Sequence, residues 1–171
     1  MKTQDYRERD ARIRPVGGLD AGRAALSRGD WQAARHAFEL SLRTEENPEA
    51  LEGLGLAAWW LDLADVVFDS RERAYRSYLS RDDRTGAARV AVWLAWDYWA
   101  FRGEHVVANG WFQRARRLLD GQPVCSERAW LEVREGSFCL LEEGDLERSH
   151  ALAGEGIRVC LLYTSPSPRD S

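Results

Sequence analysis

Apolar residues recur along this chain at intervals of three and four, as they do on one face of a helix. The clearest runs are LEGLGLAAWWL over 51–61, VAVWLAWDYWAF over 90–101 and WLEVREGSFCLL over 130–141. Short polar breaks separate such runs. Gly29-Asp30, Gly103-Glu104 and Gly144-Asp145 each stand between two helix-like stretches, and Asp62 in WWLDLAD holds the corresponding place in a fourth. VAVWLAW is rich in strand-forming residues, yet Asp97 and Trp99 continue it at helical spacing. The pattern predicts eight helices, over 19–28, 30–43, 48–61, 64–80, 84–102, 104–119, 125–142 and 145–158. Asp30, Asp145 and Asp62 stand where a side-chain oxygen caps the free amides of a second helix. Pro48 and Pro123 fall in the links between pairs, where no helical N–H is lost. The expected class is all-α.

The breaks are spaced by 33, 41 and 41 residues, so the chain repeats itself. Five positions after each break come Ala34, Val67, Ala108 and Ser149, and nine after the first and third come Phe38 and Phe112. Each unit is a helix, a tight turn and a helix, and neither helix can bury its apolar face alone. About four such pairs must therefore stack on their neighbours.

This organisation resembles the tetratricopeptide repeat. Gly29, Ala34, Phe38 and Ser41 match its second-helix pattern in the first unit, and Leu51, Leu54, Gly55, Ala58 and Ala74 match in the second. The third unit matches through Val92, Ala95, Trp99, Ala108, Phe112 and Ala115, but carries Trp96 where the family prefers glycine. The fourth matches least, through Ser137, Leu140, Ser149 and Gly156. Two periods of 41 exceed the family's usual length of about 34, implying longer helices or turns. The resemblance covers residues 18–158 and implies a tetratricopeptide-like α-solenoid. More narrowly, GAARVAVWLAWDYWAFRGE and VANGWFQRARRLL are similar to the repeat region of bacterial LuxR-type transcriptional regulators. That resemblance implies a separate helix-turn-helix domain that binds DNA; related arrays adjoin nucleotide-cyclase domains, which keeps a regulatory region of a signalling enzyme open as the alternative. A stand-alone repeat adaptor is the third reading.

Composition narrows the field. The chain has 171 residues, 24 basic against 28 acidic, and 44% apolar residues, the mix of a folded globular protein rather than a disordered one. Its longest apolar stretches, 54–61 and 90–96, are far short of the ~20 residues of a membrane-spanning helix. The N-terminus MKTQDYRERDARIRP lacks the apolar segment of a secretory signal, so the expected location is cytoplasmic. The net charge of −4 gives no electrostatic reason for this segment to bind nucleic acid. Residues 1–17 are expected to be a flexible segment, and 18–159 the repeat domain. From Cys160 the chain reads CLLYTSPSPRDS, which resembles a translated sequencing-library adapter; residues 160–171 are expected to be a non-native tail on an array cut near Val159. An array so cut would leave Leu152 and Ile157 of its last helix without a following partner, and its end frayed or adhesive.

No catalytic constellation emerges. Cys125 and Cys139 lie 14 residues apart with no histidine at metal-ligand spacing, and read as small buried helix residues. His36, His105 and His150 fall in second helices of three units, as repeat-surface residues. Nucleophile elbow, phosphate loop and HExxH are all missing, and Lys2 is the single lysine beside 23 arginines. The pairs Glu45-Glu46 and Glu142-Glu143 sit at helix ends, where solvated charge is the plain reading. The run Arg114-Ala115-Arg116-Arg117 could touch phosphates, but Arg114 and Arg117, at i,i+3, read as a solvated face that Asp120 offsets. No enzyme activity, metal or cofactor is expected.

The eight tryptophans are the informative set. Trp96 and Trp99 fall at core places of the repeat, while Trp93, Asp97 and Phe101 form a neighbouring stripe. In the tetratricopeptide family that stripe of each first helix lines a concave groove for peptides. Carried over by position, the groove receives Glu52, Leu56 and Trp59 from unit two, Trp93, Asp97 and Phe101 from unit three, and Arg134 and Phe138 from unit four. Aromatic anchors dotted with single charges suit a protein or peptide ligand, or a small effector. The expected function is non-catalytic recognition, as the sensor part of a regulator.

Overall fold

A computed structural model describes residues 18–164. Those residues form eight α-helices, α1 Gly18–Ser27, α2 Trp31–Thr44, α3 Pro48–Trp60, α4 Ala64–Ser80, α5 Arg84–Arg102, α6 His105–Leu119, α7 Ser126–Phe138 and α8 Leu146–Thr164, and contain no strand. A single π-helical turn, Cys139–Glu143, continues α7. The described residues are all-helical, and no helix among them is long and apolar enough to cross a membrane. The expected segment 1–17 and residues 165–171 of the expected tail lie outside the described residues.

The four breaks read from the sequence are four left-handed turns. Gly29, Asp62, Gly103 and Gly144 all take positive φ, at 72°, 57°, 63° and 64°. Asp62 is thus the left-handed residue itself and not a helix cap. At the first two breaks the next amide bonds back five residues, Asp30 N–H to the Ala25 carbonyl and Leu63 N–H to that of Ala58, closing a Schellman turn. At the last two the closure is one residue wider, from Glu104 to Tyr98 and from Asp145 to Cys139. Asp30 accepts from the Ala33 amide and Asp145 from that of Arg148, so both act as the caps their positions predict. Asn47 caps α3, accepting from the amides of Glu49 and Ala50, with Pro48 in the first turn. The long repeat periods come from helices of 17 and 19 residues, α4 and α5, and from the π turn after α7.

The chain divides into two compact units, up to Ser70 and from Arg71. In the first, α1, α2 and α3 pack on one another around Ala25, Ala34, Phe38, Ala50, Leu54 and Ala57. Phe38 lies so close to α1 and α3 that a Cβ at Gly22 or Gly53 would fall 2.5 or 2.3 Å from its ring. In the second, α5 packs on α6 and α7, and α7 on α8. Its core holds Ala88, Val92, Ala95, Ala108, Phe112, Ala115, Leu131 and Phe138. Phe38 and Phe112, nine residues past their turns, are each buried in the core of their own unit.

Two features depart from the expected layout. Helix α8 runs six residues past its predicted end, through Cys160–Thr164, because nothing there opposes a helix until Pro166. Leu152 has a partner, packing over Gly136 of α7, whereas Ile157 is exposed.

Candidate functional site

The sequence-derived groove residues fall into both units, and each set is described within its own. In the first, Glu52, Leu56 and Trp59 are half-buried on α3. Trp59 packs edge-on to Trp60, which stacks on Trp31 at 5.2 Å. These rings cover the end of the α2–α3 contact.

In the second unit the residues separate. Phe138 is a core side chain, 4% exposed, packed on Phe112 and Trp99, and so belongs to the interior rather than to an open groove. Its place on the helix matches the stripe, but the rings of Phe112 and Trp99 cover it. Phe101, near the C-terminus of α5, is half-buried. Trp93, Asp97 and Arg134 do come together.

Asp97 is fully buried on α5, and its Oδ2 lies 2.6 Å from Nε of Arg71, itself buried. Neither carboxylate oxygen of Asp97 has a hydrogen-bond partner among the described residues. Burial pushes the Asp97 carboxyl up to about 6, against the opposing pull of Arg71 and then Arg134. The Arg71 guanidinium also lies over the Trp93 ring, at 4.7 Å.

Arg134 of α7 stands inside an aromatic box. Its guanidinium lies 4.9 Å from the Trp93 ring, 4.3 Å from Trp96 and 4.4 Å from Trp130. Cation–π contact of this kind is worth about 0.5–2 kcal/mol per ring, more as water is excluded. Its Nε is buried without a hydrogen-bond partner, and burial lowers the arginine's affinity for its proton. Sequence reasoning placed Trp96 in the core and left Trp130 unassigned; both prove to be walls of this box. Their signal was the i,i+3 step from Trp93 to Trp96 on one helix and the i,i+4 step from Trp130 to Arg134 on the other.

Beside the box opens a cavity of about 430 Å³, lined by Trp93, Ala129, Trp130 and Val133, with Arg89, Ser126, Glu127 and Cys160 at its edge. Arg89 is engaged by Glu127 at 3.0 Å and by the Tyr78 hydroxyl at 3.2 Å. Hydrogen bonds from its own amide, Arg89 and Ser126 hold the Glu127 carboxyl below its ordinary range, although burial opposes them.

The remaining candidates are structural. Glu142 accepts from the Trp99 indole N–H and lies 2.9 Å from Nδ1 of His105, while Glu143 pairs with Arg148 at 3.1 Å. Arg116 bridges buried Glu132 and Glu135 of α7 at 3.0 and 2.7 Å, and Arg114 lies over the Trp111 ring at 4.5 Å. Cys139 is buried, and burial pushes its thiol up to about 11, far from a reactive thiolate. Cys125 is not a helix residue as expected but stands half-buried ahead of α7. Among the described residues no group of three or more His, Cys, Asp or Glu side chains could hold a metal ion. Compared with known proteins, the chain matches no family model and none of the curated proteins.

Proposed function

We propose that this chain is a non-catalytic recognition module of the tetratricopeptide-like α-solenoid kind, and that it seats the apolar part of a ligand in the cavity between α5 and α7. The observation that carries this reading is an indole pair on the cavity wall, Trp93 half-buried and Trp130 exposed. Trp93 and Trp130 lie 5.7 Å apart at 51°, and Trp130 remains 36% exposed beside an open apolar hollow. Large aromatic side chains left facing water around a hollow are the usual anchors of binding sites. The left-handed turn that ends each first helix, and the contacts of α1 with α3 and of α5 with α7, support the repeat assignment. The likeness of VAVWLAWDYWAFRGE and VANGWFQRARRLL to LuxR-type regulators supports a role as the sensor part of a transcriptional regulator, inside the cell.

The test is a screen of small apolar fragments against the full chain, read by NMR at the eight indole N–H signals. Fragments are expected to shift the signals of Trp93 and Trp130 and not those of Trp31 and Trp60. Trp130→Ala is expected to weaken their binding at least tenfold while the melting temperature holds. Shifts confined to the first unit, or unchanged binding by the variant, would overturn the reading.

A further inference from the structure

Three places invite a ligand beyond apolar packing: the carboxylates near α6, the edge of the cavity at Arg89, and Arg134. The first is closed, because Glu142 and Glu143 are taken by Trp99, His105 and Arg148. The second is closed as well, because Arg89 is already engaged by Glu127 and the Tyr78 hydroxyl. Arg134 differs. Its three close contacts are all with ring faces, at 4.3–4.9 Å, and no acceptor pairs with it among the described residues. Asp97, the nearby anion, makes its close ion pair with Arg71 instead.

Stacking fixes the plane of a guanidinium but leaves the hydrogen-bonding edge untouched. Three rings thus hold Arg134 in one orientation while its N–H fork stays unpaired. A planar fork held this way matches a carboxylate, which accepts two parallel hydrogen bonds from it. Two of the same rings, Trp93 and Trp130, also wall the apolar cavity. Arg134 is not among the residues that line the hollow, so cation and hollow share this pair of indoles without touching, and a ligand that used both would carry an anionic head on an apolar body long enough to pass the rings.

We propose that the site binds a small aromatic carboxylic acid, its carboxylate on the Arg134 fork and its ring in the cavity beside Trp93 and Trp130. This rests on the cavity reading given above. A single small body is favoured over a long chain because the hollow, about 430 Å³, falls in the size range of small-molecule pockets of about 300–1,000 Å³. Glu127 at the edge does not repel the head, since Arg89 neutralises it.

The test is calorimetric titration of the full chain with 2-naphthoate and with its neutral isostere 2-naphthamide. The acid is expected to bind at least tenfold tighter than the amide. Arg134→Gln should bring the acid down to the amide's affinity and leave the amide unchanged. Arg134→Lys keeps the charge without the fork; it should lose most of the preference, and it provides a second probe if the glutamine variant unfolds. Equal binding of acid and amide, or an acid preference that survives both substitutions, would overturn the proposal while leaving the cavity reading intact. No binding of either compound, together with fragments that fail to shift the Trp93 and Trp130 signals, would remove both. A peptide with an apolar, free C-terminus that binds tenfold tighter than naphthoate would overturn the choice of a small acid.

Discussion

Asp97 shows how much one buried carboxyl can oppose its own fold. It is fully buried and its carboxyl is raised to about 6, so the folded chain holds that proton more tightly than the unfolded one. The sign follows from linkage. A raised folded value contributes stability that is complete below about 3.8 and is lost as pH climbs through 6. Asp97→Asn should therefore match the parent near pH 4 and exceed it at pH 7.5 by up to about 3 kcal/mol. Urea unfolding at the two pH values checks this; a variant less stable at pH 7.5 would mean that the pairing with Arg71 outweighs burial. At this scale the site was partly legible. Trp93, Asp97 and Arg134 were legible as neighbours because helical spacing fixes faces. Phe138 was not, since spacing gives a residue's face but not how far neighbouring rings, here Phe112 and Trp99, cover it. Arg71 was invisible too, because nothing in RERAYRSY distinguishes a buried arginine from a solvated one.

Among the elements, the turns were the most legible part and the last helix the least. A glycine before an acidic residue specifies a left-handed stop, and Gly29, Gly103 and Gly144 all provide one. Asp62 was placed by spacing alone, yet took the same backbone conformation at φ 57°. An L-residue there carries about 1 kcal/mol of strain that glycine avoids. Asp62→Gly should accordingly raise stability by about 0.5–1 kcal/mol, measured as a shift in the urea midpoint at constant slope; a loss would show that the aspartate side chain contributes more than its backbone costs. The end of α8 was misjudged for a different reason. The change to Ser and Pro begins only after Thr164, whereas Cys160-Leu-Leu-Tyr-Thr is compatible with a helix. The close approaches of α7 and α8 were also hidden. They depend on Gly136 and Gly156, where an added Cβ would come to 3.3 Å of the facing helix, and a sequence does not announce which glycines face a neighbour.

For the molecule as a whole, the repeat period foretold an all-helical chain, but not its division near Ser70 into two compact units. Periodicity reports which faces are apolar; it is silent on how firmly successive pairs are joined. Helix α8 adds a property of the whole surface. Leu146, Ile157 and Leu161, each at least 62% exposed, fall on one side of that helix, away from the Gly156–Val159 face that packs inward. An exposed apolar stripe of this length favours self-association. Light scattering should show the apparent mass rising with concentration, and Ile157→Glu should suppress the rise. A clean monomer at high concentration would sink the idea.

The indole pair at 5.7 Å and 51° has one more consequence, an optical one. Two chromophores this close and this far from parallel couple their transition dipoles, and the coupling appears as a signed couplet in circular dichroism. Its sign and size depend on the angle between the rings. A ligand wedged against Trp93 or Trp130 would change that angle, and the spectrum would report it on top of the fixed contributions of the Trp59–Trp60 and Trp96–Trp99 pairs.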